Sequence, residues 1–291
     1  MQGYRRSLKM DGIIELAIKL KPLNSFYIPS WPGVFAAKIF YDAASSAGLK
    51  FSKIEEKAFS LTPIKPEGMS EYYMAGVYKS KDEKSWRWLY VNEADTLLFN
   101  VYLFSKDSAS KLVSELNRNP VIMEPCGKLE LAGIEGKLIT IGQVKEKSAD
   151  SEWINLRLTV EYLTPTRFMM RGLCLDYPSH VRFLKSLGKS YHVLTGSEDV
   201  RYFIDKLTLL QIEYEKTGDK TVQCYVDIGH EDRIRRFIRA FYGEANYILH
   251  IRECEVEALQ QLLKLGEVVG VGVNRGLGLG RIKTRLTALP D

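Results

Sequence analysis

Only four histidines stand in 291 residues: His180, His192, His230 and His250, each in a different stretch. That scarcity speaks against chemistry built on imidazole, and no Ser-His-Asp spacing is visible. Each histidine is expected to be structural. Cysteine is equally sparse. Cys126, Cys174, Cys224 and Cys254 stand alone, with no Cys-x-x-Cys and no Cys/His pair at metal-ligand spacing. They are expected to be reduced, mostly buried thiols, and neither a metal site nor a cofactor is expected. No apolar run reaches the roughly 18 residues of a membrane-spanning helix. The start, Met1 to Met10, is basic, but Asp11-Gly12 follows where a secretory signal needs its apolar core. A cytoplasmic protein is expected. A strong charge of one sign is also lacking. The 41 Lys and Arg against 36 Asp and Glu leave a formal charge of +5, which permits an anionic partner without demanding one.

What is present suits a folded protein. Hydrophobic residues make up 45% and charged residues 26%, enough apolar material to offset chain entropy. The length allows one large domain or two of about 100–150 residues. Ile14, Leu16, Ile18 and Leu20 alternate with Glu15, Ala17, Lys19 and Lys21, the pattern of a strand with one buried face. A turn with Pro22, Pro29 and Pro32 follows. A helix is predicted over Phe35–Ala47, ended by Gly48. Strands are predicted at Ala58–Ile64, Tyr72–Lys79, Arg87–Val91 and Leu97–Phe104. Ala109, Leu112, Val113 and Leu116 predict a second helix, capped by Ser108 or Asp107 and stopped by Asn119-Pro120. Strand-like sequence then runs from Leu129 to Val144. The order is β-α-β…β-α-β.

Lys145 to Ser151 is polar and marks a hinge between residues 1–146 and 147–291. The second half opens like the first, with Leu156, Leu158, Val160 and Tyr162 alternating with polar neighbours. Pro178-Ser179 precedes a helix that turns Val181, Leu184 and Leu187 inward. Val222, Cys224, Val226 and Ile228 mark a strand, and Arg235–Tyr242 and Asn246–Arg252 two more. Val256, Leu259 and Leu263 suit a helix, and Arg281 to Leu286 a last strand. The expected fold class is α+β, with two tandem ferredoxin-like (RRM-like, βαββαβ) domains alike in pattern only.

The strongest motif is Gly270-Val-Gly-Val-Asn-Arg-Gly-Leu-Gly-Leu-Gly280. Such a loop can expose backbone N–H groups to a phosphate; its bland reading is a tight helix-to-strand crossing that needs small residues. A dinucleotide-binding turn would need Gly where Arg275 stands, with the strand before and the helix after it. A P-loop fails too: Gly188-Lys189-Ser190 is its tail, but Phe183 stands where the first Gly is required. Beside the loop, Arg275, Arg281, Lys283 and Arg285 turn the reading toward a nucleic-acid backbone. Its expected RNA-contacting residues are Gly270, Gly272, Arg275, Gly276, Gly278, Gly280, Arg281 and Lys283. A second basic group, Arg233, Arg235, Arg236 and Arg239, lies near Phe237, Phe241 and Tyr242, as on a basic-aromatic RNA surface; its plain reading is a solvated charged edge. Lys21 joins the RNA-contacting candidates. Lys50, Lys53 and Lys57 follow the first helix. Trp31, Trp86, Trp88 and Trp153 are read as core or edge packing.

With these residues in view, the chain resembles the repeat-associated RAMP superfamily of CRISPR systems. It is most similar to the member that cuts precursor crRNA within the repeat. The resemblance rests on the Gly-rich loop before the final strand, on the helix Phe35–Ala47 with Tyr41 in its second half, and on Leu163-Thr164-Pro165-Thr166. It implies a metal-independent endoribonuclease in which the RNA 2′-hydroxyl attacks its own phosphate, leaving a 2′,3′-cyclic phosphate and a 5′-hydroxyl. By the same resemblance, Tyr41 matches a family tyrosine and Lys57 a family lysine. The family histidine has no match between Leu49 and Glu56, and Lys50 or Lys53 is the candidate in its place. A lysine with its ordinary pKa of about 10.4 is a cation and proton donor at neutral pH. Electrostatic stabilisation and positioning are therefore expected to dominate. The implied partner is CRISPR repeat RNA (pre-crRNA and crRNA), and a homodimer or association with an effector complex is compatible with the family. The alternatives are a non-catalytic RAMP subunit that grips crRNA, and an unrelated nucleotide-binding enzyme using the glycine loop.

Overall fold

The structure is a computed structural model that describes residues 12–51, 59–81, 83, 87–144, 151–210, 212–215, 219–231 and 234–289. The alternating segment forms the strand Ile13–Pro22, with Leu16, Ile18 and Leu20 buried. It lies inside an antiparallel sheet, between Leu97–Leu103 and Gly127–Ile139. Phe59–Leu61 pairs with the outer side of Leu97–Leu103, and Val121–Glu124 with Gly127–Ile139. Two helices cover this sheet: α1, Pro32–Ser46, and α2, Lys106–Arg118. Pro32 suits the first turn of α1, where its missing N–H costs nothing. Gly48 follows the helix end with φ +71°. The cap of α2 is Ser105, whose Oγ accepts from the Ser108 amide at 3.2 Å. It takes the place expected of Ser108 or Asp107, and Asp107 instead lies in the first turn, where its charge suits the helix dipole.

The second sheet is also antiparallel. Its order is Ile282–Ala288, Trp153–Thr166, Ile234–Arg252, Val222–Glu231 and Val77–Tyr78, with Ile212–Glu215 paired to Ile234–Arg252. Three helices pack on it: α3, His180–Thr195; α4, Asp199–Leu210; and α5, Val256–Val269. In each half the four main strands lie in the spatial order fourth, first, third, second. The fold is mixed α+β.

Three expectations change. Tyr72–Lys79 is not one strand: only Val77–Tyr78 is extended, and it pairs with Val222–Glu231 of the other half. Asp227 fixes that exchange, because its N–H donates to Gly76 O at 2.8 Å and its carbonyl accepts from the Trp31 N–H at 3.0 Å. The two segments near Arg235–Tyr242 and Asn246–Arg252 are one strand, Ile234–Arg252, which passes Gly243 at φ +107°. Helix α4 was not expected from the sequence. Its Val200, Phe203, Ile204 and Leu207 are spaced i, i+3, i+4, i+7 and are all buried. The proposed hinge falls outside the described residues except for Ser151. All four cysteines are free; Cys224 is buried, its thiol pushed up to about 12 by burial, whereas Cys126, Cys174 and Cys254 are only half-buried. Of the tryptophans, Trp31 is fully buried, Trp88 and Trp153 are exposed, and Trp86 lies outside the described residues.

The glycine-rich loop is wedged between the halves. Trp31 Nε1 donates to Leu277 O at 2.7 Å. A Cβ on Gly33 would stand 1.9 Å from that same carbonyl, so α1 meets the loop backbone to backbone. Gly278, at φ +70°, lies against Pro63, and Gly276 against Phe59 and the Tyr41 hydroxyl. Trp31, Val77, Cys224, Val226, Ala240 and Leu279 form a small apolar cluster across this joint.

The joint makes a prediction about glycine. At Gly280 (φ +78°) a Cβ would lie 1.9 Å from Val271 O, whereas at Gly196 (φ +72°) it would meet open space. Gly280→Ala is expected to cost about 3 kcal/mol or more, and Gly196→Ala about 1–2 kcal/mol. Urea denaturation of the two variants measures the gap; equal midpoints would contradict the close packing of the loop.

Candidate nucleic-acid interface

The loop's amides are mostly spent inside the protein. Gly280 N donates to Pro165 O at 3.1 Å, Gly270 N to Gly266 O at 2.7 Å, and Val273 N to Arg167 O at 3.1 Å. Gly272 N donates to Ser186 Oγ at 2.8 Å, and Arg281 N to Thr164 Oγ1 at 2.9 Å. Leu163-Thr164-Pro165-Thr166 is thus the strand end that cradles the loop. Gly270, Gly278 and Gly280 are buried. These three glycines serve close packing, which corrects the expectation that they face RNA.

Arg275 and Arg281 also turn inward. Arg281 is 6% exposed. Its Nη1 donates to Val268 O at 2.5 Å, its Nη2 to Glu267 O at 2.8 Å, and its guanidinium lies 4.8 Å from the Tyr102 ring centroid. It closes the C-terminal end of α5 and reaches a tyrosine of the first half. The expectation that Arg281 contacts RNA is corrected: backbone carbonyl groups hold its guanidinium inward. Arg275 is 8% exposed and donates to Ser190 Oγ at 2.8 Å and to Gly270 O at 3.4 Å. Burial, with Arg281 nearby, pulls it down to about 10, so it keeps its charge at neutral pH.

A cleft of about 480 Å³ opens where the loop passes Tyr41. One wall is Tyr41 and Phe59 of the first half. The floor is Gly272 to Leu277, with Arg275 beneath. The other wall is α3, which contributes Arg182, Lys185 and Lys189 together with Ser186 and Ser190. Arg182, Lys185 and Lys189 fall at i, i+3, i+7, one face of a helix. Buried Phe183, Leu184 and Leu187 anchor its other face. Among its described lining residues the cleft has four cations and no carboxylate. Low-dielectric walls focus such a potential on an incoming anion. Tyr41 is 40% exposed, and its ring meets Phe59 edge-on at 5.8 Å.

The structure therefore brings together Tyr41, Gly272, Arg275 and Gly276 of the expected residues. It adds Arg182, Lys185 and Lys189, which the sequence reading passed over although their helical spacing was legible. Lys21, Lys50 and Lys283 are exposed and do not line the cleft. Arg235 is bound to buried Asp227 (Nε–Oδ2 2.6 Å) and to the Tyr78 hydroxyl (2.8 Å), which corrects its reading as an open RNA contact. Arg239 faces Asp176 at 3.8 Å and Arg236 is exposed; neither lines the cleft. Lys53, Lys57 and Arg233 lie outside the described residues. No histidine is among the cleft's described lining residues. Among the described residues no group of three His, Cys, Asp or Glu side chains is disposed to hold a metal ion, and no helix is long and apolar enough to cross a membrane.

Residues 160–282 match the family model of the CRISPR-associated endoribonuclease Cas6. The structure is similar to a Cas6 product complex, with TM-score 0.63 and 16% identity over 96% of this chain and 100% of that one. It is also similar to Thermus thermophilus Cas6, with TM-score 0.56 and 15% identity over 94% of this chain and 98% of that one. For the product of a Cas6-related gene from Pyrococcus furiosus, the TM-score is 0.53 and the identity 16%, over 94% of this chain and 99% of that one. At such identities the likeness is one of fold. No curated protein sequence matches the chain. Residues 160–282 carry the sequence signature of the Cas6 family, and the fold of nearly the whole chain is similar to that of Cas6 structures.

Proposed function

We propose that the chain is a metal-independent endoribonuclease that processes CRISPR repeat RNA in the cleft between Tyr41 and α3. One observation carries the reading: a phenol faces four cations across a cleft whose described lining residues include no carboxylate. A Cas6 product complex and a Cas6 substrate-mimic complex are among the similar structures. The two halves, residues 1–146 and 147–291, are read as tandem ferredoxin-like domains, a reading supported by the shared strand order.

In this mechanism the RNA supplies its own nucleophile. The 2′-oxygen bonds to the adjacent phosphorus, the bond to the 5′-oxygen breaks, and the 2′-proton is lost as the 5′-oxygen gains one. The products are a 2′,3′-cyclic phosphate and a 5′-hydroxyl. Lys189 and Arg182 hold the phosphate and offset charge on the phosphorane, and Arg275 adds a fixed field from below. Tyr41 positions the reacting ribose and phosphate by hydrogen bonding. Lys50, Lys53 and Lys57 remain candidates through the family resemblance. A second reading, a subunit that grips crRNA without cutting it, is favoured by the lack of histidine among the lining residues.

Two outcomes are expected. RNA with a single 2′-deoxyribose at the cut position should bind yet stay whole, and EDTA should not slow cleavage of the all-ribose RNA. Cleavage of the deoxy substrate, or a Mg²⁺ requirement, would assign the nucleophile to water. An all-ribose repeat that is bound but never cut would favour the gripping subunit.

The second outcome concerns rate. In single-turnover cleavage with RNA saturating, Lys189→Ala should slow the step by roughly 10²–10³, the cost of losing one transition-state donor. Lys283→Ala, on the last strand and away from the cleft, should cleave at the parent rate. Equal rates for both variants would move the catalytic cation elsewhere.

A further inference from the structure

Helix α3 has a second groove behind it. Lys185, Lys189 and His192 of α3 form one side, and Glu198 with Val200, Arg201, Ile204 and Asp205 of α4 the other, around a volume of about 510 Å³. Gly188 allows the two helices to approach, since a Cβ there would lie 2.8 Å from Ile204 Cγ1. Val200 and Ile204 close its floor and are themselves almost fully buried, 1% and 3% exposed. The rim carries Lys185, Lys189 and Arg201 against Glu198 and Asp205. Asp205 Oδ1 lies 3.7 Å from Lys185 Nζ, and Glu198 Oε1 3.8 Å from His192 Nε2. Lys185 and Lys189 line both this groove and the cleft that holds Tyr41.

A groove whose rim carries three permanent cations can track a nucleic-acid backbone, its phosphates meeting ammonium and guanidinium groups. The two shared lysines make the groove continuous with the main cleft across one turn of α3. We propose that the α3–α4 groove is a second subsite for single-stranded RNA. Nucleotides flanking those in the main cleft cross α3 between Lys185 and Lys189, with a phosphate toward Arg201. The proposal rests on the RNA-binding part of the proposed function. The salt link from Lys185 to Asp205 has a consequence: the carboxylate competes with the RNA for that lysine and repels phosphate.

Fluorescence anisotropy with fluorescein-labelled oligouridylates of four and twelve nucleotides tests this. The tetramer can occupy the main cleft alone, whereas the dodecamer is long enough to fill both. Arg201→Glu should weaken dodecamer binding at least tenfold and leave the tetramer within twofold. Arg201→Ala should lower the dodecamer's salt slope by about 0.7, one single-strand phosphate contact. Asp205→Asn, which frees Lys185, should tighten the dodecamer several-fold. The opposite signs separate a local effect from general damage. Dodecamer binding unchanged in all three variants, or a tetramer weakened as much as the dodecamer, would remove the groove from the RNA path. A parent protein that binds neither oligomer would remove the RNA-binding reading itself, and this subsite with it.

Discussion

The contact on which the site depends is a backbone approach: the first turn of α1 against the carbonyl of Leu277. Trp31 Nε1 holds that oxygen at 2.7 Å, and Gly33 leaves it the space that a side chain would fill. The loop is then clamped from its other side by Pro165, Arg167 and Thr164. Because α1 carries Tyr41 and the loop leads from α5 into the second sheet, this clamp sets how far the phenol stands from α3. A rigid joint costs nothing at the moment of reaction, which is where preorganisation helps catalysis. The exchange of Val77–Tyr78 into the second sheet ties the halves together again from behind, through buried Asp227.

The cations divide into two populations with different work. Arg235, Arg275 and Arg281 are tied to buried oxygens and shape the backbone around them. Arginine suits that use because its planar fork satisfies several carbonyls and stays charged when buried. Arg182, Lys185 and Lys189 stand on a helix face toward solvent, where an ammonium can follow a moving phosphate. Arg275 belongs partly to both: its bonds are structural, yet its charge sits under the cleft floor. On the proposed function, exposed lysines over a fixed arginine make a surface suited to a nucleic-acid backbone.

Much of the fold was legible because its strands alternate and its helices repeat cleanly. Ile13–Pro22, Trp153–Thr166, α1, α2, α3 and α5 follow from such patterns. Val77–Tyr78 was misread because its partner strand lies in the other half, and local sequence does not encode distant pairing. Helix α4 was missed despite regular spacing. The candidate site was half legible. Tyr41 and the glycine loop each stand out, but nothing in the spacing says that they touch. The glycines were read as exposing amides, when most exist to let carbonyls approach. Gly188-Lys189-Ser190 lacks the first glycine of a phosphate loop; Lys189 and Ser190 line the cleft for another reason, their position on α3.

In the proposed reaction, the lack of a histidine among the described lining residues gives the chemistry its character. An imidazole would let one side chain take a proton and give it back within a turnover. The described lining residues here instead offer a phenol, two serine hydroxyls and permanent cations. Ser190 already accepts from Arg275 and donates to Ser186 O at 3.0 Å, and Ser186 accepts from Gly272, so both hydroxyls are occupied in holding the floor. What remains free to act on the RNA is charge and position. In the proposed reaction such a cleft stabilises a phosphorane more readily than it moves protons, and the rate rests on how well it aligns the 2′-oxygen with the departing 5′-oxygen. Alignment is a property of the bound RNA as a whole. On the proposed reading, an enzyme limited in this way gains from gripping its substrate on both sides of the cut, and the face of α3 that carries Lys185 and Lys189, lining both grooves, is placed to do that.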